Sequence, residues 1–156
     1  MRRRPRGLPP IDHRFAPFHL RVVRSRIDRF GVVAEEPIPA RRKVIEYTGE
    51  IISPREADRR HGLIVRSRGR KRFYFFFVRK GRVIDGAVGG SGAELINHSC
   101  DPNLVRQRRG DHILYFSRRK IRRGEELTLD YRYSPDTYQQ KCRCGSPKCR
   151  GTLNLK

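Results

Sequence analysis

Short apolar and β-branched runs recur along the chain, and each is only four to six residues long. Gly-containing turns such as "RKGR", "RRGD" and "RRGE" separate several of them, which is the spacing of a hairpin-rich β protein. The pattern therefore predicts a mostly β fold, with strands at residues 19–23, 30–34, 43–47, 73–78, 82–85, 103–107, 112–116 and 126–129.

One stretch, "SPREADRRHG", has the signals of an α-helix. Ser53 is placed to cap the first turn, and Pro54 occupies the first helical position, where a missing N–H does no harm. Glu56 completes a capping box with Ser53, and Gly62 is suited to ending the helix. The sequence predicts one short helix here, and no internal repeat is visible.

The chain has 156 residues, the length of one domain of ordinary size. Residues 1–16 begin with "MRRRPRGLPP" and have little to bury, so we expect a mobile basic arm there. No apolar run approaches the length of a bilayer span, and no apolar segment follows the first basic residues. We therefore expect an intracellular protein without membrane contact, either cytoplasmic or bound to the nucleoid or chromatin.

The charge balance is strongly positive. Lys and Arg number 37 against 16 Asp and Glu, which gives a formal net charge of +21, and 30 of the 37 are Arg. Such a field attracts nucleic acids or acidic proteins. The Arg bias suits bidentate phosphate or carboxylate contacts, but it equally fits a bias in genomic base composition. Nucleic acid is therefore a possible partner rather than an established one.

Four cysteines are present, at positions 100, 142, 144 and 149. The spacing in "KCRCGSPKCRG", with Gly and Pro between the thiols, is typical of a tight turn in which several thiolates face one point. Tetrahedral zinc needs four such ligands, so the economical arrangement adds Cys100 to the three in the tail. This predicts a Zn²⁺ site that clamps the tail to the "NHSC" segment; the alternative is four unrelated thiols.

Five blocks now carry a family resemblance: "SRIDRFGVVA" (25–34), "IEYTGEII" (45–52), "INHSCDPN" (96–103), "GEELTLDY" (124–131) and "CRCGSPKCRG" (142–151). Their order and separations resemble those of SET-domain protein lysine methyltransferases with a post-SET zinc tail, and free-standing microbial members most. The resemblance covers residues 19–154. It implies a β fold of short sheets with a knot-like C-terminal crossing, one or two short helices, a catalytic domain at 17–134 and a zinc-binding tail at 139–156.

The resemblance also implies a reaction, the transfer of a methyl group from S-adenosylmethionine to the side-chain amine of a lysine in a protein substrate. It assigns cofactor binding to Phe30, Gly31, Asn97, His98 and Tyr131. It assigns catalytic roles to Tyr131, Tyr47 and Tyr74, and Tyr131 is expected to orient the lysine nitrogen. The same resemblance implies that the lysine channel is lined by Tyr47, Tyr74, Leu129 and Tyr131. The faces of aromatic rings at such positions suit an ammonium group. For Tyr47 and Tyr74 the alternative is an ordinary core aromatic with a satisfied hydroxyl.

Four departures from the family's usual pattern are visible. Arg29 stands where the first glycine of Gly-x-Gly is usual, and Glu94–Leu95 replace an Arg-aromatic pair, which reverses a charge. Ser91 stands for an Asn. Leu129 replaces a Phe or Tyr, and we expect a roomier channel and a di- or trimethyl product. The alternative function is a catalytically weak, basic, zinc-clamped module that binds nucleic acid or chromatin.

The segment "RSRGRKR" (66–72) is among the densest positive clusters of the chain. By the resemblance it falls at a variable insert beside the substrate groove. We predict that it selects a target lysine flanked by acidic residues, or a protein already bound to nucleic acid. The alternative is a solvated charged loop. The oligomeric state is left open.

Overall fold

The computed structural model describes residues 9–66, 73–137 and 139–156. Within these ranges the chain forms short strands, one α-helix and one turn of 3-10 helix. In chain order the elements are β1 (Leu20–Arg24), β2 (Phe30–Ala34), β3 (Lys43–Tyr47), β4 (Glu50–Ile52), α1 (Pro54–Arg66), β5 (Phe75–Arg79), β6 (Arg82–Asp85), the 3-10 turn (Ala93–Leu95), β7 (Asn97–His98), β8 (Leu104–Arg109), β9 (His112–Ser117) and β10 (Thr128–Leu129).

The predicted mostly β fold is confirmed, and each predicted run contains a strand. Two strands were missed, β4 and β7. Both are too short, at three and two residues, to show the alternation of buried and exposed side chains on which a sequence prediction depends.

The strands form four small sheets rather than one large one. Two sheets have three strands, in the orders β3-β9-β8 and β4-β6-β5, and two are pairs, β1-β2 and β7-β10. All neighbours are antiparallel except β7 and β10, which pair in parallel with Thr128 opposite Asn97 and Leu129 opposite His98. This pairing is the predicted C-terminal crossing.

The core lies between these sheets and is made of aliphatic side chains. Ile38 and Ile121 are fully buried, and each donates its N–H to the carbonyl oxygen of the other over 2.9 Å. A smaller cluster under α1 is formed by Ile52, Ala57 and Val83. Ile11 belongs to the main core, so the buried part of the chain begins inside the segment that the sequence assigned to the arm.

The helix begins as predicted and ends later. Ser53 Oγ accepts the backbone N–H of Glu56 over 3.1 Å, but the Glu56 carboxylate binds Arg59 and Arg60 instead of completing a capping box. The predicted end at Gly62 was wrong, since α1 continues to Arg66. A glycine ends a helix by adopting a left-handed conformation, and Gly62 is not among the glycines with positive φ.

Two predicted segments fall partly or wholly outside the described residues. Of the basic segment 66–72 only Arg66, the last residue of α1, is described. Of the arm, residues 9–16 are described. Among the helices that the structure does describe, none is long and apolar enough to cross a membrane.

Candidate active site and metal centre

The parallel pair β7–β10 places Asn97 against the loop before β2. Asn97 is buried, and its Nδ2 donates to the carbonyl oxygen of Phe30 and to Glu126 Oε1, both over 2.8 Å. Ser25 Oγ donates to the same Glu126 oxygen over 2.8 Å. One amide and one carboxylate therefore tie the 25–31 loop to the crossing, which brings the predicted cofactor residues Phe30, Gly31 and Asn97 together.

The conformation of this loop explains its glycine. A Cβ on Gly31 would lie 2.2 Å from Glu126 Oε1 and 3.1 Å from Asn97 Nδ2, so no side chain fits there. Arg29, the departure from Gly-x-Gly, has a φ of 33° and lies in the left-handed region. The chain thus keeps a turn that favours glycine while carrying an arginine, at a cost of about 1 kcal/mol.

His98 joins the predicted catalytic tyrosine to the cysteine cluster. Its Nδ1 accepts the backbone N–H of Tyr131 over 3.1 Å, so the ring proton is on Nε2, which lies 3.3 Å from Cys100 Sγ. Burial lowers the pKa of His98 to about 4, so the ring is neutral at physiological pH. Both ring nitrogens have partners inside the protein, which leaves the backbone of His98 for the predicted cofactor contact.

The hydroxyl groups of Tyr131 and Tyr47 are both held by backbone carbonyls. Tyr131 Oη donates to the oxygen of Ile96 over 2.8 Å, and Tyr47 Oη donates to that of Tyr74 over 2.5 Å. Burial raises the pKa of both phenols above the ordinary tyrosine value. Both are therefore neutral donors with fixed orientation near neutral pH.

These tyrosines belong to a larger aromatic cluster. The rings of Tyr47 and Tyr115 lie 6.3 Å apart, and those of Tyr131 and Tyr133 lie 5.5 Å apart. Burial is the largest cause of the raised pKa of Tyr131. Smaller contributions come from neighbouring ionisable groups, namely Tyr133, Tyr115, Asp28 and Tyr74. The structure thus brings the three predicted tyrosines together and adds Tyr115 and Tyr133, which the sequence analysis missed. The two-residue spacing of "YRY" is the signal that points to Tyr133.

Leu129, the remaining predicted channel residue, lies in β10 opposite His98 and is 4% exposed. Its carbonyl oxygen accepts the N–H of Ser99 over 3.0 Å, which extends the parallel pairing by one residue. Leu129 is therefore part of the crossing as well as of the core.

Asn103 fixes the loop after the "NHSC" segment and was not predicted. Its Nδ2 donates to the carbonyl oxygen of Glu126 over 2.8 Å, and its Oδ1 accepts the N–H of Thr128 over 2.9 Å. The side chain is 2% exposed. This amide pairs with one carbonyl and one N–H of residues 126–128, which explains why a polar side chain is buried at the end of the "DPN" turn, where Pro102 is also buried and Asp101 is exposed.

The four cysteines meet at one point, as the sequence predicted. Their sulfur atoms all lie within 4.8 Å of one another, and Cys100 Sγ is 3.7 Å from Cys142 Sγ. A tetrahedral zinc ion about 2.3 Å from each sulfur would hold them roughly 3.8 Å apart, so the donor set fits this metal.

The surroundings act on the thiols in opposite directions, since burial raises the pKa of Cys100 and Cys142 whereas the pKa of Cys144 is lowered. The backbone N–H of Arg150 donates to Cys100 Sγ over 3.3 Å, and that of Gly151 to Cys149 Sγ over 3.4 Å. Burial raises the pKa of Cys144, but hydrogen bonds from neighbouring N–H and thiol groups outweigh it and lower the value to about 6. Such donors are the usual outer support of a thiolate metal site.

The tail is also held to the crossing without the cysteines. Arg150 makes a two-pronged ion pair with Asp130 at 2.8 and 2.9 Å, beside Tyr131 in sequence. Fully buried Asn154 donates to the carbonyl oxygen of Ser134 over 2.8 Å. These contacts place the tail next to the aromatic cluster. No local sequence motif predicts them.

A family model described as the SET domain matches residues 29–132 of the chain. The chain belongs to the SET-domain family. The match includes the 29–31 loop, the crossing and the predicted residues Tyr47, Tyr74 and Tyr131, and the SET domain therefore contains each predicted site residue outside the cysteine tail.

Curated relatives agree with this SET domain over most of its length. The chain is 42% identical over 135 residues to the histone-lysine N-methyltransferase ATX2 of Arabidopsis thaliana, covering 84% of this chain and 12% of that protein. It is 40% identical over 134 residues to the histone-lysine N-methyltransferase, H3 lysine-4 specific, of Schizosaccharomyces pombe, covering 83% and 14%. The chain thus spans only a small part of the length of these relatives.

Within this SET domain the departures at Ser91 and Glu94 are accommodated locally. Ser91 is fully buried, and its Oγ donates to the carbonyl oxygen of Glu46 over 2.5 Å. Glu94 Oε2 accepts the N–H of Gly92 over 2.9 Å, and burial raises the pKa of its carboxyl. Among the described residues no Lys or Arg is recorded as an ion-pair partner of Glu94, although the chain is strongly basic.

Proposed function

We propose that this protein transfers a methyl group from S-adenosylmethionine to the side-chain amine of a lysine in a protein substrate. The observation that carries the proposal is the position of Tyr131 at the β7–β10 crossing, where its hydroxyl donates to the Ile96 carbonyl and its ring lies 5.5 Å from that of Tyr133. The relatives are named histone-lysine N-methyltransferases, and these names support the same reaction class.

The reaction asks the protein for alignment and for exclusion of water. S-adenosylmethionine supplies an electrophilic methyl group on a sulfonium, and the attacking amine must be neutral and in line with it. We assign cofactor contacts to Phe30, Gly31, Asn97, Tyr131 and the backbone of His98, because hydrogen bonds tie Asn97 to the 25–31 loop and Tyr131 to His98, the neighbour of Asn97.

Tyr131 is assigned the orientation of the lysine nitrogen. The Tyr131 hydroxyl donates its hydrogen bond to the Ile96 carbonyl, so the lone pairs of the hydroxyl oxygen remain to accept an N–H of the substrate amine. Since burial raises the pKa of Tyr131, the phenol stays protonated and is a poor base. The lysine proton therefore leaves to water, and Tyr47 and Tyr74 contribute the channel walls.

We assign to Leu129 the control of how many methyl groups the lysine in the channel can receive. A leucine occupies less of the space beside Tyr131 than a phenylalanine or tyrosine would, and we expect di- or trimethyl product. A product dominated by monomethyllysine would contradict this assignment.

We further propose that Cys100, Cys142, Cys144 and Cys149 hold one Zn²⁺ ion in the tail at residues 139–156. The support is the clustering of the four sulfurs and the N–H groups aimed at them. The ion would be structural, because four protein thiolates leave no open coordination position. Its task is to keep the tail beside the aromatic cluster.

The proposal is tested with purified protein, S-adenosylmethionine carrying a labelled methyl group, and histones, the proteins that the relatives' names point to. We expect label on lysine, read by mass spectrometry, and a rise of the unfolding temperature with S-adenosylmethionine. Such a substrate places the protein at chromatin or at a nucleoid. If no protein, in histones or in lysate, accepts label and the cofactor causes no stabilisation, the proposed function is wrong.

A further inference from the structure

Two turns at one end of the molecule are locked to each other. Beyond the Ile38–Ile121 pair, Ser117 Oγ donates to the carbonyl oxygen of Pro39 over 2.6 Å and accepts the backbone N–H of Arg42 over 3.0 Å. The N–H of Arg41 donates to the carbonyl oxygen of Ser117 over 2.8 Å. Residues 38–42 and 117–123 thus form one rigid surface.

This surface, here called the basic face, presents cationic side chains almost exclusively. Its members are exposed and lie on the two locked turns: Arg41, Arg42, Arg118, Arg119, Lys120, Arg122 and Arg123. The residues that point inward between them, Ile38, Ser117 and Ile121, are buried. The basic side chains of these turns therefore all lie on the solvent-exposed side.

Little negative charge opposes the basic face. Glu125 pairs with Arg119 over 2.6 Å, and Asp101 is held by Lys148 over 3.3 Å. The remaining basic side chains of the face have no ion pair recorded within the described part of the chain. A groove of about 940 Å³ runs between Arg119, Lys120, Arg122 and Arg123, with Gly124 and Glu125 at its edge.

The residue types on the face identify the kind of partner. A protein partner is held by apolar or aromatic anchors at the centre of an interface, and residues 38–42 and 117–124 expose no aromatic or large aliphatic side chain. Binding to a nucleic-acid backbone depends instead on Lys and Arg at phosphates. Without an exposed ring to stack on unpaired bases, the face favours a duplex.

We infer that the basic face binds the phosphate backbone of double-stranded nucleic acid, without reading its sequence. The site uses none of the residues assigned to methyl transfer and does not depend on that reaction. It would hold the protein on the duplex to which its protein substrates are bound.

The test compares two triple variants that reverse three charges each. Arg42→Glu, Lys120→Glu and Arg123→Glu lie on the basic face. Arg24→Glu, Arg55→Glu and Lys80→Glu form the matched control, since each is exposed and they lie outside the two turns of the face, in β1, in α1 and in the turn between β5 and β6. Thermal unfolding verifies that both variants fold.

The measurement is fluorescence anisotropy with a labelled duplex DNA of mixed sequence, over a salt series. The face variant should lose more than about 10-fold in affinity, and its salt slope should fall by about 2–3, since each lost phosphate contact removes roughly 0.9. The control should lose less than about 3-fold. Methylation of a free peptide should be equal in both variants.

Three outcomes would overturn the inference. The first is equal loss in both variants, which would mean that net charge alone attracts DNA. The second is absence of salt-sensitive DNA binding by the unaltered protein. The third is tighter binding to polyglutamate than to DNA, since that would point to an acidic protein as the partner.

Discussion

The hydroxyl of Tyr131 directs its proton to the carbonyl oxygen of Ile96, 2.8 Å away. Because the group is expected to act on the lysine amine and not on the cofactor, Tyr131→Phe should leave the affinity for S-adenosylmethionine within about 2-fold. Turnover should fall by about 100-fold or more, as is typical when one positioned polar group is lost from a reacting centre. Calorimetric titration and labelled-methyl kinetics measure the two quantities.

Either of two results would move Tyr131 out of the reaction. Unchanged turnover would leave it a structural residue. Parallel loss of turnover and of cofactor affinity would show that the ring supports the cofactor pocket, with no separate part for the hydroxyl.

Glu94 gives a prediction about pH. Its carboxyl pKa is raised in the folded protein above the ordinary value of 4.5, chiefly by burial. The native state therefore holds the proton more tightly than the unfolded chain, so this stabilisation is present below pH 4.5 and is lost as pH rises through the raised value. Glu94→Gln, which stays neutral, should raise the unfolding temperature at pH 7.5 by on the order of 1–2 °C.

The gain from Glu94→Gln should shrink toward pH 4, where both side chains are neutral, and calorimetry at three pH values measures it. Asp58→Asn is the control, because it removes an exposed carboxylate on α1 that forms no ion pair with the described residues. A gain of equal size at every pH would mean that the amide adds a new contact.

Single residues were predictable where one local motif carries the chemistry. The cysteines, Asn97 and Tyr131 lie in short motifs whose spacing is visible in the chain. Asn103, Asn154 and the Asp130–Arg150 pair were not predictable, because each acts through partners distant in sequence. A single sequence contains no record of which distant polar groups will satisfy one another.

At the scale of elements, two glycines form a matched pair. Gly62 lies inside α1 with helical backbone, whereas Gly81, in the turn between β5 and β6, has a φ of 78°. A Cβ meets nothing within 4 Å at either position. Gly62→Ala should therefore stabilise the protein by about 0.5–1 kcal/mol, since alanine is the better helix former.

Gly81→Ala should destabilise by about 1 kcal/mol, because an L-residue is strained at positive φ. Urea unfolding of both variants measures the pair. Since steric contact is absent at both sites, equal effects in the same direction would show that backbone conformation is not the cause.

Strands were easier to predict than the limits of the helix. Runs such as "HILYF" contain enough β-branched and aromatic residues to show a strand by themselves. The helix continued through Gly62 because a glycine inside a helix costs only about 1 kcal/mol, too little to end it. The two-residue strand β7 exists only because β10 pairs with it, so its formation depends on tertiary structure.

For the whole molecule, the cysteine cluster predicts a joint loss. Cys100→Ser removes the one proposed zinc ligand outside the tail, and we expect it to release both the proposed ion and residues 139–156. Metal analysis should fall from one zinc per chain to less than about 0.2, and limited proteolysis should cut the tail, because metal binding and ordering of such a segment are coupled.

Ser146→Ala is the control for this prediction. It alters a tail residue whose Oγ accepts the N–H of Lys148 over 3.1 Å but is no ligand, so metal and tail should both remain. Retention of zinc by Cys100→Ser would reject the assignment. Release of zinc with a protected tail would show that the Arg150–Asp130 pair suffices to hold it.

The parallel pairing of Asn97–His98 with Thr128–Leu129 also has a consequence for biosynthesis. The hairpin of β8 and β9 lies between the two partners in the chain, so the pair closes a long loop and cannot form early by local contacts. On the ribosome, strands β1 to β9 are translated before β10 exists. The crossing, on which the proposed methyl transfer depends, therefore forms only after Leu129 has been translated and has left the ribosome.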